Sequence, residues 1–345
     1  MIMQRRKFTQ LLALTALAPA LNTKIRNRSM TLLKAQRLKQ GDTVALVAPA
    51  SPIPKDKFDI ALKNIESLGL QAKYSQDVFN EYGFLAGTDS ERLKDFTSYL
   101  ADPNIKAIWA LRGGYGCTRL LPDIDMEQVL CNPKIIIGYS DLTALLNALY
   151  KLTGLVGFHG PVAISRPFTE YTKDMVQKTL FGSTKGMVIP YIEQTEPGKK
   201  FSAEKYVINS GKAEGVLVGG NLCLLASMCG TPYLPDFKGK IVFLEDVSEK
   251  PYRIDRMIVQ LLQAGNLSEA AGIVLGVFND CLPDQGDKSL SLRETLELNF
   301  KPLKMPVMYG FTFGHVPDMC TFPIGINAEM DTEKFEVKLL EDAVV

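Results

Sequence analysis

KIIIGYSDLTALLNALYKL (134–152) reads as a buried strand, a sharp turn and a helix in immediate succession. Three consecutive isoleucines suit a strand covered on both faces, and from Leu142 the apolar residues recur at helical spacing. The same alternation runs upstream. TVALVAPA (43–50) is a short apolar strand ending in a loop of small residues. Lys57 to Gly69 carries apolar residues at helical spacing, with Gly69 placed as the C-terminal stop. IKAIWAL (105–111) is another buried strand, followed at once by Arg112-Gly113-Gly114-Tyr115-Gly116. Continuous apolar strands alternating with helices define an α/β fold with a parallel sheet covered on both faces. In such sheets the working loops lie at the carboxyl ends of the strands. Residues 112–116 and 139–141 are therefore where chemistry is expected.

The chain of 345 residues has room for two domains. From 166 to 205 the pattern loosens into RPFTEYTKD and then EQTEPGKKFSAEK, rich in charge, Pro and Gly, which reads as a linker. This divides the chain into a leader (1–30), an α/β domain (31–165), the linker (166–205) and a β-rich domain (206–345). The last is expected from VLVGGNLCLLASMCGTPY (216–233), KIVFLEDV (240–247), GIVLGVF (272–278) and MPVMYGF (305–311), with a helix over 253–265. Lys and Arg number 39 against 38 Asp and Glu, so no basic field exists to hold nucleic acid non-specifically.

The leader combines Arg5-Arg6-Lys7-Phe8, an apolar run of about a dozen residues and the small-residue exit Ala18-Pro19-Ala20. These are the parts of an export signal of twin-arginine type, too short for a stable membrane anchor. The alternative is a cytoplasmic protein translated from Met30. The six cysteines show no CxxC pair or zinc-like spacing, and buried reduced thiols are the expectation.

Only two histidines occur, His159 in Gly-Phe-His-Gly-Pro (157–161) and His315 in Gly-His-Val-Pro (314–317). Any hydrolysis that needs an imidazole base runs through one of them. Ser140, between strand and helix, sits where a turn projects its hydroxyl and presents backbone N–H groups at a helix N-terminus. The same position suits a helix cap, and both readings stand. The turn lacks the second elbow glycine of α/β-hydrolases, since Leu142 follows Asp141. Glu245 ends an apolar strand, where a carboxylate buried against an imidazole would orient it; Asp246 competes for that role. The glycines at 113 and 114 allow close backbone approach, and without a following Gly-Lys-Ser/Thr an oxyanion-binding N–H from Gly114 is a more coherent use than a phosphate loop. Cys117 is a rival nucleophile without a nearby base. A terminal carboxylate favours an arginine partner, and Arg112, Arg253 and Arg256 are the candidates. Trp109 reads as core, while Phe168, Tyr171 and Tyr191 could stack on a ligand.

ALRGGYG (110–116), IIGYSD (136–141), FHGP (158–161), GGNL (219–222), FLED (243–246) with YRID (252–255), and Gly314-His315 together resemble the LD-carboxypeptidase family, from about Leu38 to Ala328. That family includes murein tetrapeptide carboxypeptidases and a microcin self-immunity branch. The resemblance implies a triad of Ser140, His315 and Glu245, with the N–H groups of Gly114 and Asp141 as oxyanion hole and His159 structural. It implies an N-terminal sheet domain like class I glutamine amidotransferases, a swivelling C-terminal domain, and a homodimer. The implied reaction is serine-dependent cleavage of an L–D peptide bond, releasing D-Ala from a murein stem peptide, with no metal or cofactor. A peptidyl-nucleotide substrate and a catalytically silent peptide-binding protein are the alternatives.

Overall fold

The β-branched run at 135–137 forms a strand with no exposed residue, and the chain around it builds the expected parallel sheet. The computed structural model describes residues 31–164, 166–194 and 204–345. The leader over 1–30 lies outside the described residues, as does 195–203 of the expected linker.

The first sheet is laid down by β1 (Thr43–Val47), α1 (Phe58–Ser67), β2 (Gln71–Lys73), α2 (Asp89–Ala101), β3 (Ile105–Ala110), α3 (Cys117–Leu120), α4 (Met126–Cys131), β4 (Ile135–Gly138), α5 (Leu142–Thr153) and β5 (Gly157–His159). All five strands run parallel to their neighbours, in the order β5-β4-β3-β1-β2. Gly69 follows α1 with a φ of 76°, the left-handed stop the sequence implied. Helix α2 starts with a capping box, Thr88 and Glu91 satisfying each other's backbone N–H.

The remainder departs from the sequence reading in three ways. First, the described part of 166–205 is not all connection. It holds α6 (Glu170–Leu180) and β6 (Val188–Ile189). Thr169 caps α6, and Met175, Val176 and Leu180 bury one face; the Pro, Gly and charge around them masked that stripe. Second, the β-rich half is itself α/β at its centre. It comprises β7 (Tyr206–Asn209), β8 (Lys212–Asn221), α7 (Leu222–Ser227), β9 (Ile241–Glu245), α8 (Pro251–Ala264), β10 (Gly272–Val277), α9 (Leu292–Phe300), β11 (Val307–Gly314), β12 (Phe322–Ile324), β13 (Asn327–Asp331) and β14 (Glu336–Leu339). The second sheet runs β6-β14-β13-β8-β9-β10-β11-β7, with β8 to β11 parallel and the flanking strands antiparallel.

Third, the two halves are not separate stretches of chain. Strand β12 leaves the second half and pairs antiparallel with β5, Phe322 opposite His159. At the far end, the Val345 N–H donates to Ala35 O at 3.0 Å and the Arg37 N–H to Val345 O at 2.9 Å. Residues 32–345 accordingly form one compact unit.

Helix α5 explains how the sheets stay in register. Ten of its twelve residues are buried, because it packs on β4 and β5 and also on β8. Buried polar bonds fix that second contact. Asn147 Nδ2 donates to Gly219 O at 2.8 Å, Asn147 Oδ1 accepts from the Gly219 N–H at 3.3 Å, and Thr143 Oγ1 accepts from the Asn221 N–H at 2.9 Å. Asn147→Ala strands both backbone groups of Gly219 away from water, so we expect a loss of about 2–4 kcal/mol. Equilibrium urea unfolding of the variant against wild type measures it.

Candidate active site

Strand β4 ends at Gly138, and two residues later Ser140 adopts φ 61°, a conformation that non-glycine residues avoid. The turn delivers the chain into α5 and leaves the Ser140 hydroxyl without a hydrogen-bond partner among the described residues. Helix α5 has no side-chain cap, so the capping role is not what this serine performs. The Asp141 side chain turns back instead and accepts the Cys117 N–H at 2.8 Å, tying the turn to the glycine loop. Burial pushes the Asp141 carboxyl above its ordinary value.

The glycine loop lies against this turn. A Cβ on Gly113 would stand 2.8 Å from Ser140 Cβ and 3.2 Å from the Asp141 nitrogen. Gly114, at φ 113°, backs onto Ser51, whose hydroxyl accepts the Tyr115 N–H at 3.0 Å. The N–H groups of Gly114 and Asp141 donate to no other group among the described residues. Arg92, from α2, completes the support. Its buried guanidinium bonds both Pro49 O and Gly116 O and pairs with Asp89.

Glu245 and His315 arrive from the second sheet, at the carboxyl ends of β9 and β11. Glu245 is fully buried, and its Oε2 lies 2.8 Å from His315 Nδ1. Burial alone would raise the Glu245 carboxyl; the charge and hydrogen bond of His315 outweigh it and hold the acid below its ordinary value. Burial likewise pulls the His315 imidazole down, and the Glu245 charge and hydrogen bond more than reverse that. The partnership assigns the imidazole hydrogen to Nδ1 and leaves Nε2 available for a proton. Asp246 is excluded from this role by its bonds: it accepts from Asn221 Nδ2 at 3.0 Å and from the N–H groups of Cys223 and Val247. Burial, then the neighbouring Glu245 charge, push it up to about 7.

Ser140, His315, Tyr139, Gly113, Gly114 and Arg112 line one cavity of about 340 Å³. A larger cavity of about 450 Å³, around Lys250 and Tyr252, contains none of them. Of the three candidate arginines only Arg112 reaches the site, with Nη1 donating to Pro52 O at 2.8 Å. Arg253 pairs with Glu249, and Arg256 lies over the Tyr252 ring.

The other histidine is not at the site's surface. His159 is fully buried among Tyr139, Phe243 and Phe313, with neither ring nitrogen bonded. Burial brings it down to about 4, so it is neutral. Trp109 is core, donating to Pro161 O and stacking on Phe168. Neither Phe168, Tyr171 nor Tyr191 lines the cavity: Tyr171 donates to Pro190 O and Tyr191 packs on Phe335. All six cysteines are free thiols. Cys117, Cys281 and Cys320 are buried as expected, whereas Cys131 is exposed and Cys223 and Cys229 are half-buried. Burial raises the Cys117 thiol well above its usual range, which removes it as a nucleophile.

Sheet order and cleft define a two-sheet α/β protein with a serine, an imidazole and a buried carboxylate converging between the sheets. Residues 44–160 match the LD-carboxypeptidase N-terminal domain and residues 214–330 the LD-carboxypeptidase C-terminal domain. The chain belongs to the LD-carboxypeptidase family. It is 41% identical over 307 residues to the probable murein peptide carboxypeptidase of Bacillus subtilis (strain 168), covering 87% of this chain and 92% of that one. The murein tetrapeptide carboxypeptidase of Pseudomonas aeruginosa is 33% identical, over 84% of this chain and 92% of its own. Among solved structures, MccF in complex with glutamyl sulfamoyl guanosine superposes with a TM-score of 0.83 at 27% identity, covering 91% of this chain and all of that one.

The Gly113 contact supplies a test of the geometry. Gly113→Ala must displace Ser140, and since about 1 Å of misplacement costs about a hundredfold in rate, we expect kcat to fall by that order in a steady-state assay.

Proposed function

We propose that this protein is a serine carboxypeptidase that cleaves an L–D peptide bond and releases a C-terminal D-amino acid, D-Ala, from a murein tetrapeptide. The observation that carries the proposal is the 2.8 Å bond between the Glu245 carboxylate and His315 Nδ1, with His315 facing the same cavity as a strained, unpartnered Ser140. Ser140 Oγ attacks the scissile carbonyl carbon while His315 Nε2 takes its proton. The resulting oxyanion is met by the N–H groups of Gly114 and Asp141. The C–N bond then breaks, and His315 returns the proton to the departing amine. Water, deprotonated by the same imidazole, hydrolyses the ester and restores Ser140.

No hydrogen bond joins Ser140 to His315 in this structure; substrate would draw the His315 loop toward Ser140, a movement that keeps the α5–β8 bonds. The two halves otherwise follow the family plan, the first resembling class I glutamine amidotransferases, with the chain working as a homodimer. Export by residues 1–30 would have it trim stem peptides in the wall. A peptidyl-nucleotide substrate is the second reading, favoured by the likeness to MccF bound to glutamyl sulfamoyl guanosine. It is weakened by the absence of Phe168, Tyr171 and Tyr191 from the cavity wall.

Incubating the purified chain with L-Ala-D-Glu-diaminopimelate-D-Ala and following mass tests the reading. We expect release of one D-Ala, reduced by about 10⁴-fold or more in Ser140→Ala. Retained turnover in that variant rejects the serine mechanism.

The pH profile follows from the Glu245 contact. The base works as neutral imidazole, and Glu245 raises its pKa, so kcat/KM falls as pH drops through a value above the ordinary imidazole pKa of about 6.5. In Glu245→Gln that acid limb moves to lower pH while the plateau rate drops, which a pH–rate series on both proteins resolves.

A further inference from the structure

The cavity beside Ser140 carries positive charge that the protein does not neutralise. Among the described residues its lining includes Lys57 and Arg112 and no aspartate or glutamate. Neither cation forms an ion pair among the described residues. Other arginines do have carboxylate partners: Arg92 and Arg119 meet Asp89, and Arg253 meets Glu249. Two cations lining the cavity beside Ser140, one exposed and one half-buried, are free to meet an anion that enters it.

Their mounting is rigid. Pro52, which accepts from Arg112, and Lys57 belong to the same segment between β1 and α1. Three further contacts bind that segment to the glycine loop. Ser51 N–H donates to Gly113 O at 3.4 Å, Ser51 Oγ accepts from Tyr115, and Arg92 bonds Pro49 O and Gly116 O together. The Arg112 bond to Pro52 uses one nitrogen and leaves the rest of the guanidinium without a protein acceptor among the described residues. A guanidinium fork and an ammonium lining one cavity suit a carboxylate ligand. The cavity wall also offers Pro54, Val162 and Ile164, a small apolar surface that would receive a methyl side chain.

We propose that Lys57, with Arg112, forms the subsite for the C-terminal carboxylate of the departing residue, and that Lys57 determines the preference for a free chain end. The inference rests on the peptidase reading above. Under it, the cations fix the distance between the free terminus and the attacked carbonyl at one residue. A peptide that ends in an amide loses the ion pair.

The test compares L-Ala-D-Glu-diaminopimelate-D-Ala with the same peptide ending in D-Ala amide, using the full chain. The wild type should favour the acid. Lys57→Met should lower kcat/KM for the acid about tenfold more than for the amide, mainly through KM, and Lys57→Arg should restore most of the preference. Lys57 is exposed, and matching melting curves would show the variants folded. Release of D-amino acid by the wild type with an unchanged acid-to-amide ratio in Lys57→Met overturns the subsite alone. Release from neither peptide overturns the peptidase reading and the subsite with it. A Lys57→Met effect that vanishes when lysine replaces diaminopimelate assigns the cation to that side-chain carboxylate, which also overturns the proposal.

Discussion

A carboxylate with no exposed surface is tolerable only with a partner, and Glu245 has one at Oε2. Much of the second sheet can be understood from that requirement. Glu245 ends β9 and His315 follows β11, with β10 between them. Gly314, just before His315, takes φ 118°, and a Cβ there would sit 2.7 Å from Val277 O, so the chain makes this turn toward Glu245 only with glycine. The parallel order β9-β10-β11 brings both residues to carboxyl ends of strands on the same edge. A hydrogen bond of one proton's width thus constrains three strands, one glycine and the loop that holds the base.

The Ser140 side of the site meets a matching demand. Ser140 stays in a left-handed conformation that costs about 1–3 kcal/mol, and something must over-determine it. Helix α5 supplies that constraint. Leu142 packs under Gly138, Asp141 is held by Cys117, and the helix is buried against both sheets. The Asn147 and Thr143 bonds to β8 place the start of this helix a fixed way from the strand next to β9. The strained turn and the buried acid are therefore referenced to one another through α5 and β8 rather than through direct contact.

The parallel first sheet was readable because three apolar runs, each followed by a small-residue loop, satisfy a local rule. Ser140 and His315 were readable for a different reason: the loop positions and the scarcity of histidine left few competitors. Choosing Glu245 over Asp246 needed more. Adjacent strand residues face opposite ways, but which face meets the imidazole depends on how β9 registers with β11 across β10, set by residues far apart in sequence. Helix α6 hid in a stretch whose composition suggested a connection, since its stripe depends on three buried residues among many polar ones. The return of β12 to the first sheet left no local trace, for Phe322-Pro323-Ile324 would suit either sheet. Arg92 escaped notice because a buried arginine on a polar helix looks like surface until its acceptors, two loop carbonyls, are known.

Dividing the chemistry between two sheets has a physical consequence for what the site can accept. The first sheet's side of the cavity carries positive charge, through Lys57 and Arg112, while the second sheet brings the Glu245 carboxylate with its His315 partner. Under the proposed function, the Lys57 and Arg112 charges would draw an anionic chain end toward the glycine loop. On that reading the scissile carbonyl would meet Ser140 and the acyl part would extend away from the cations, while His315, brought by the second sheet, would serve both attack and departure. Glu245 raises the imidazole's pKa against the effect of burial, so the second sheet sets how readily His315 holds a proton.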